Sequence, residues 1–250
     1  MKSFDNYFKS AFTVDNVIFG FDDADLKVLL IKRTEDPFVG KWALPGYFVR
    51  PDEDLDSAAI RVLDELTGLN DVFLEQVKTY GTVNRHPFGR VITVSYFSLI
   101  KIDHFTLRKD NDIASEVKWH SISNMPKLAF DHGKILEDSL EQLKRLVRTQ
   151  PVGFELLPRK FTLTELQHLY EAILGTLMEK RNFRKKILSM DLLIDCNETQ
   201  EGVSHRPARL YRFDENRYLS FLKEGFNFKL NESKRKDKDK DRSKKEGLVI

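Results

Sequence analysis

The segment 44–69 constrains the fold of this chain more than any other, because it joins a loop to a helix. It reads LPGYFVRPDEDLDSAAIRVLDELTGL. Within it, residues 54–67 carry apolar side chains at helical spacing, and Gly68 follows where helices commonly end. Glu53 lies just before this helix and Arg61 within it, so the two side chains can pair across the junction. We therefore predict a helix entered through a loop of fixed shape.

This segment resembles the Nudix hydrolase signature, in which a glycine, a glutamate, an arginine, three helical glutamates and a closing glycine stand at fixed spacing. The positions that align without a gap are Glu53, Arg61, Thr67, Gly68 and Leu69. The resemblance implies a Nudix-like fold for the N-terminal part of the chain. In Nudix hydrolases the helical carboxylates bind Mg²⁺ or Mn²⁺ against a pyrophosphate.

Most of the metal-binding positions of that signature are replaced here. Tyr47 stands in place of the glycine, Val62 and Leu66 replace the first and last helical glutamates, and only Glu65 remains. A hard divalent cation needs several oxygen ligands, and the metal would have to activate water and neutralise the leaving phosphate. We therefore predict no catalytic residue, no metal site and no cofactor, and a domain that senses a small metabolite without hydrolysing it.

Two other functions stay open at this point. A Nudix hydrolase of a nucleoside diphosphate derivative could use rearranged metal ligands, with Asp52, Asp64 and Glu65 as candidates. A scaffold protein could instead use its C-terminal domain to bind another protein.

The remaining N-terminal sequence mixes strand and helix patterns. A helix is predicted over residues 132–148, where apolar residues recur at helical spacing. Strands are predicted at residues 12–21, 26–33, about 77–84, 90–100 and 116–120. Strands mixed with helices over this length predict one α/β unit, a Nudix-like α/β/α sandwich.

The C-terminal sequence has the element order of a winged helix-turn-helix domain. Capping-box patterns near Thr162 predict the start of one helix, and a second is predicted over residues 180–189. A strand at 191–196, a polar loop at 197–208 and a returning strand follow, and a closing helix is predicted over 214–229. We expect a ligand-sensing domain over residues 1–150, a winged helix domain over 151–230 and a charged, disordered tail over 231–250.

Together the two parts resemble the Nudix-related transcriptional regulators, which fuse a Nudix-like sensor to a winged helix. The matching segments are LAFDH (128–132), FTLTELQ (161–167), LYEAILG (169–175), RNFRKKIL (181–188) and RPARLYRF (206–213). The resemblance implies a homodimer that binds palindromic operator DNA and responds to a small metabolite.

The charge distribution agrees with a DNA-binding C-terminal part. Residues 158–250 contain 21 Lys and Arg against 15 Asp and Glu, although part of this charge belongs to the tail. A recognition helix reads bases with Arg and Asn and neutralises phosphates with Lys, and a wing contacts the backbone with cations. The candidate DNA-binding residues are Arg181, Asn182, Arg184, Lys185, Lys186, His205, Arg206 and Arg209.

The sequence says less about which metabolite the protein senses than about its fold. The family includes sensors of ADP-ribose-type nucleotides and of sugars such as arabinose. Loss of the metal and the bulk of Tyr47 slightly favour a sugar, although Arg or Lys could replace the metal in binding a pyrophosphate. A sugar would connect the regulator to carbohydrate metabolism. The candidate ligand-binding residues are Lys32, Arg33, Tyr47, Phe48, Arg85, His86, Asp131 and His132.

Composition limits the environment in which the protein works. The chain of 250 residues contains one cysteine, Cys196, so an internal disulfide is excluded. No apolar run long enough to span a membrane and no secretory leader is visible. We expect a cytoplasmic protein without membrane association.

Overall fold

The computed structural model describes residues 10–22, 25–70, 72–102, 107, 112–204 and 206–224. Within these ranges the strands are β1 (Ala11–Asp22), β2 (Asp25–Arg33), β3 (Trp42–Ala43), β4 (Gly46–Phe48), β5 (Glu75–Tyr80), β6 (Val91–Lys101), β7 (Ala114–Ser121), β8 (Leu193–Thr199) and β9 (Arg209–Phe213). The helices are α1 (Leu55–Thr67), α2 (His132–Thr149), α3 (Leu163–Leu174), α4 (Lys180–Leu188) and α5 (Glu215–Glu224).

Strands β1 to β7 form one mixed sheet, in which β1 has neighbours on both sides. β1 is parallel to β6, with Ala11 opposite Val91, and antiparallel to β2 and β4. β7 adds to β2, and β5 adds to β6. A parallel pair needs a long crossover, and the chain between β1 and β6, which includes α1, provides it. The starts of β1 and β6 therefore lie side by side, and the end of the short strand β4 lies next to the start of β1.

Helices cover both faces of this sheet. Successive residues of a strand point to opposite faces, so Val17 and Phe19 of β1 pack in a core with α2 and α3. Ile18 points the other way and packs with Leu63 of α1. The predicted α/β/α sandwich is confirmed.

The helix of the opening motif forms as its local signals predict. The Asp54 side chain accepts a hydrogen bond from the Ser57 backbone N–H at 2.7 Å, which begins α1. Gly68 ends the helix with φ of 80°, a left-handed conformation that glycine adopts without strain.

The C-terminal elements have the predicted winged helix order. Thr162 and Glu165 form a capping box at the start of α3, and Gly175 ends that helix with φ of 69°. The strand predicted over residues 191–196 was misplaced by about two residues, because Asp191 has φ of 55° and belongs to the turn after α4. Strand β8 instead continues to residue 199. The end of the predicted closing helix and the tail at 231–250 lie outside the described residues.

One apolar core continues from the sheet into the winged helix. Leu143 and Val147 of α2 share this core with Leu166 and Tyr170 of α3. We propose that residues 1–150 and 151–230 are two functional units, with the boundary between residues 150 and 151, and that both contribute to this one core. None of the described helices combines the length and the hydrophobicity that a membrane span requires.

Candidate ligand cavity and nucleic-acid interface

A cavity of about 350 Å³ opens where the starts of β1 and β6 meet the short strand β4. This volume lies in the range of small-molecule sites, about 300–1,000 Å³. Its walls come from β1, β2, β4, the loop between β2 and β3, the loop before β6 with the first residue of β6, and the turn that begins α2. The lining residues are Ala11, Thr13, Asp15, Arg33, Glu35, Asp36, Pro37, Gly46, Tyr47, Phe48, Arg85, His86, Phe88, Gly89, Arg90, Val91, Phe130 and His132.

The floor of the cavity is a buried polar network around Asp15. The Thr93 hydroxyl donates to Asp15 Oδ2 at 2.7 Å. His132 Nε2 lies 3.4 Å from Asp15 Oδ1, and His132 Nδ1 accepts from the Leu44 backbone N–H at 2.9 Å. Because Nδ1 accepts, the proton of the neutral imidazole is on Nε2, facing the carboxylate. Burial lowers the pKa of His132 below its usual value, which favours this neutral form.

Three arginines line the cavity. Arg85 is held by Asp131, with Nε donating to Oδ2 at 2.9 Å and Nη2 to Oδ1 at 2.6 Å. Arg33 donates to the backbone carbonyls of Pro37 and Glu35, at 3.0 and 3.2 Å. Arg90 donates to the carbonyl of Gly81. These guanidinium groups can supply positive charge to an anionic ligand without a metal.

Aromatic rings form one wall, with Phe130 at its centre. Phe130 adopts φ of 51°, which is uncommon for a bulky residue. The His86 ring stacks on it at a centroid distance of 5.2 Å and an angle of 15°. The Arg33 guanidinium carbon lies 5.0 Å from the centre of the Phe130 ring. A planar ligand group can stack against such a surface.

The predicted ligand-binding residues fall into three groups in the structure. Those that line the cavity are Arg33, Tyr47, Phe48, Arg85, His86 and His132. Asp131 lies behind Arg85 and holds it. Lys32 lies outside the cavity, where its Nζ is 3.8 Å from Glu116 and 5.9 Å from the Trp42 ring centre. Its neighbour Arg33 is buried and faces the cavity, whereas Lys32 is partly exposed.

Several lining residues were missed from the sequence. Asp15, Glu35, Arg90 and Phe130 reach the cavity through strand pairing and turns between distant segments. A local signal existed for one of them, because Phe130 lies in the family-like segment LAFDH beside two residues that were chosen.

The Nudix loop is closed by charged pairs. Arg61 Nε donates to Glu53 Oε2 at 2.8 Å, and Arg61 Nη2 donates to the Phe48 carbonyl at 3.0 Å. These hydrogen bonds with Arg61 lower the pKa of Glu53 to about 2. Glu65, the remaining signature carboxylate, accepts from Arg61 at 2.9 Å and from Arg50 at 3.0 Å. The retained acidic groups thus bind arginines.

The two replaced signature positions belong to the core. Val62 and Leu66 are 0% and 1% exposed, and they pack with Val14 and Val94 of the sheet. Glu65, the one retained glutamate of this helix, differs from them because its side chain is 41% exposed. In the part of the chain that the structure describes, no three His, Cys, Asp or Glu side chains come together as a metal site would require.

The surface of α4 carries most of the predicted DNA-binding residues. Phe183 and Ile187 anchor the helix in the core. The outward-facing side chains are Arg181, Asn182, Lys185 and Lys186. Glu179 caps the helix by accepting from the backbone N–H groups of Arg181 and Asn182. A cationic helix face is therefore followed in the chain by the wing, which β8 and β9 form.

Arg184 differs from its neighbours on α4. It is half-buried, and its Nη2 donates to the Thr164 hydroxyl of α3 at 3.1 Å. Within the described residues its buried Nε has no hydrogen-bond partner. Arg184 was a candidate DNA-binding residue, but its side chain is turned towards α3.

The wing contributes two of the three predicted cations. Arg206 is exposed, and Arg209 is largely exposed and donates to Asp195 at 2.9 Å. The third prediction, His205, lies outside the described residues.

Two family models match this chain. The NUDIX domain model matches residues 10–139, and the model described as the NrtR DNA-binding winged helix domain matches residues 153–213. The first model contains the cavity, and the second contains α3, α4 and the wing.

Similar proteins include both a regulator and an enzyme. The chain is 38% identical over 205 residues, 80% of this chain and 81% of the relative, to the ADPR responsive transcriptional repressor NtrR of Acinetobacter baylyi. It is 36% identical over 138 residues, 55% of this chain and 78% of the relative, to the ADP-ribose pyrophosphatase of Methanocaldococcus jannaschii.

Two solved structures of one regulator are similar to this chain. NrtR of Shewanella oneidensis, crystallised with a 27mer DNA, is 33% identical with a TM-score of 0.70, and the match covers 88% of this chain and 99% of that one. The NUDIX domain of the same protein, crystallised with ADP ribose, is 36% identical with a TM-score of 0.51, covering 57% of this chain and 94% of that one.

Proposed function

This chain belongs to the Nudix-related transcriptional regulators, and we propose that it is a repressor that binds operator DNA and responds to ADP-ribose. The observation that carries the proposal is the combination of two sites in one chain. An arginine-lined cavity lies in the Nudix domain, and a cationic helix lies in a winged helix that shares its core.

The DNA-binding part of the proposal rests on α4 and the wing. Arg181 and Asn182 lie in the first turn of α4, where a recognition helix reads base edges, while Lys185 and Lys186 can contact phosphates. Arg206 and Arg209 extend the positive surface to the wing. The Shewanella structure with DNA supports assigning this surface to operator DNA.

ADP-ribose replaces the sugar that the sequence slightly favoured. The argument for a sugar was that loss of the metal removes one source of positive charge for a pyrophosphate, although Arg or Lys could replace it, and that Tyr47 narrows the cavity. Arg33, Arg85 and Arg90 supply such cations around one cavity, and the aromatic wall at Phe130 offers a stacking surface for a base. A relative named as ADPR responsive and a Nudix domain crystallised with ADP ribose support the same choice.

We propose further that the chain binds ADP-ribose without hydrolysing it. Val62 and Leu66 are buried apolar residues, and Glu65 is bound by two arginines. The alternative, hydrolysis of a nucleoside diphosphate derivative, is favoured by the similarity to an ADP-ribose pyrophosphatase. Hydrolysis would require the candidate ligands Asp52, Asp64 and Glu65 to bind the metal.

Dimerisation is part of the proposal, because an operator palindrome needs two copies of the winged helix related by a two-fold axis. We expect a protein of two chains in solution, measured by light scattering with and without DNA. A protein that stays monomeric both with and without DNA contradicts the proposed dimer, and leaves the proposals on DNA binding and on the ligand untouched.

The DNA proposal is tested by titrating a fragment of the gene's own promoter region with the full chain at several salt concentrations. We expect specific binding that weakens as salt rises, because phosphate contacts release counterions. A protein with Lys185 and Lys186 changed to Ala should bind more weakly and show a smaller salt dependence. Equal affinity for the promoter and for unrelated DNA would exclude a repressor.

The ligand proposal is tested by calorimetric titration with ADP-ribose, arabinose and AMP, each without added metal. We expect ADP-ribose to bind more tightly than the other two and to change the affinity for promoter DNA. A parallel incubation with Mg²⁺, followed by chromatography, should leave ADP-ribose intact. Release of AMP at ordinary enzyme rates would support the hydrolase alternative.

A further inference from the structure

Asp131 occupies a position with two possible partners. It is the residue that precedes the first turn of α2, where an aspartate side chain commonly accepts a backbone N–H of that turn. In the described part of the chain, Asp131 makes no such side-chain cap. Both of its carboxylate oxygens accept from Arg85 instead.

Arg85 connects this helix start to the cavity. Its side chain is 4% exposed and lines the cavity, and its Nη2 also lies 3.6 Å from Asp15 Oδ2. Two carboxylates therefore compete for one guanidinium before any ligand enters. An anionic ligand group that binds Arg85 has to compete with Asp131, whose side chain is 27% exposed and has room to turn.

Helix α2 extends from this pair to the winged helix. Its first residue, His132, contacts the cavity floor, and Leu143 and Val147 near its other end pack with Leu166 and Tyr170 of α3. A change in how α2 begins therefore acts on the core that supports the DNA-binding helices.

We propose that the diphosphate of the bound effector takes Arg85 from Asp131, and that the released Asp131 caps α2. This exchange links occupation of the cavity to the position of the winged helix. It rests on the proposed function, since it requires an effector with an anionic group. A neutral sugar leaves the Arg85–Asp131 pair intact and does not operate the switch.

The test uses the full chain with Asp131→Asn. Asparagine caps a helix as well as aspartate does but cannot hold Arg85 by charge. Because the competition for Arg85 is removed, ADP-ribose should bind at least about fivefold more tightly. The factor by which ADP-ribose changes the Kd for promoter DNA, expected to be about tenfold in the wild type, should fall towards one.

The matched control is Asp138→Asn, which removes another paired carboxylate from α2. Asp138 binds Lys78 and Lys134, outside the cavity. This variant should keep the wild-type ADP-ribose affinity and the wild-type coupling factor, and thermal unfolding checks that both variants fold.

The outcomes separate the two proposals. If the wild type binds ADP-ribose and changes its DNA affinity, but Asp131→Asn alters neither quantity, the exchange is overturned and the proposed function stands. An equal effect of Asp138→Asn on coupling also overturns the exchange. If the wild type does not bind ADP-ribose, both proposals fail.

Discussion

Arg184 of α4 donates a hydrogen bond to the Thr164 hydroxyl of α3, with Nη2 and Oγ1 3.1 Å apart. This contact links the two helices, which also share the apolar core that contains Tyr170 and Phe183. Arg184 therefore connects α4 to α3, whereas Arg181, one turn earlier, is exposed.

Changing Arg184 to Ala should lower both stability and DNA affinity. We expect a loss of about 1 kcal/mol in the free energy of unfolding, because a half-buried side chain and its hydrogen bond are removed. Arg181→Ala should leave stability within about 0.5 kcal/mol and weaken operator binding by about 1–3 kcal/mol. Chemical denaturation and DNA titration measure the two quantities. Unchanged stability of the Arg184 variant would mean that this residue reads DNA directly.

Restoring a signature glutamate should damage the fold and not create a hydrolase. Val62→Glu places a carboxylate at a position with 0% exposure among apolar neighbours. We expect a loss of about 3 kcal/mol or more in the free energy of unfolding. Ile60→Glu is the control on the same helix, since Ile60 is 49% exposed and should tolerate the charge. A stable Val62→Glu protein that releases AMP from ADP-ribose with Mg²⁺ would show that the position still faces a catalytic site.

The ends of individual helices could be predicted from the sequence, but the set of residues that line the cavity could be predicted only in part. The capping box at Thr162 and the glycine end of α1 depend on neighbouring residues, so their signals are visible in the sequence. Asp15 enters the cavity because β1 pairs with β6, and no local pattern encodes that contact. Arg184 was a candidate DNA contact because of its charge and its place on the helix, but packing of α4 on α3 brings it against Thr164.

The Glu53–Arg61 pair should give the protein a stability contribution that depends on pH. The pair lowers the pKa of Glu53 from 4.5 to about 2. A depressed carboxyl pKa stabilises the folded state above the unfolded pKa, and this contribution is lost as pH falls from about 4.5 to about 2. Glu53→Gln should therefore lower the melting temperature at pH 7, and its difference from wild type should shrink across that interval. A difference that is independent of pH would assign the effect of Glu53 to packing and not to its charge.

Gly46 should be the least replaceable residue of the cavity. A Cβ atom at this position would lie 2.0 Å from Asp15 Oδ1 and 2.8 Å from the Val14 carbonyl oxygen. Gly46→Ala must displace the buried Asp15 network or the β1 backbone, so we expect a loss of about 1–3 kcal/mol in the free energy of unfolding, together with weaker ADP-ribose binding. Gly133→Ala is the control, and it should raise the free energy of unfolding instead of lowering it. Among the described residues, no atom beyond its chain neighbours and its own helix backbone lies within 4 Å of the added Cβ, so an alanine in α2 should stabilise by about 0.5 kcal/mol. Denaturant unfolding of both variants measures the difference, and equal stability of the two would show that the sheet around Asp15 moves apart at little cost.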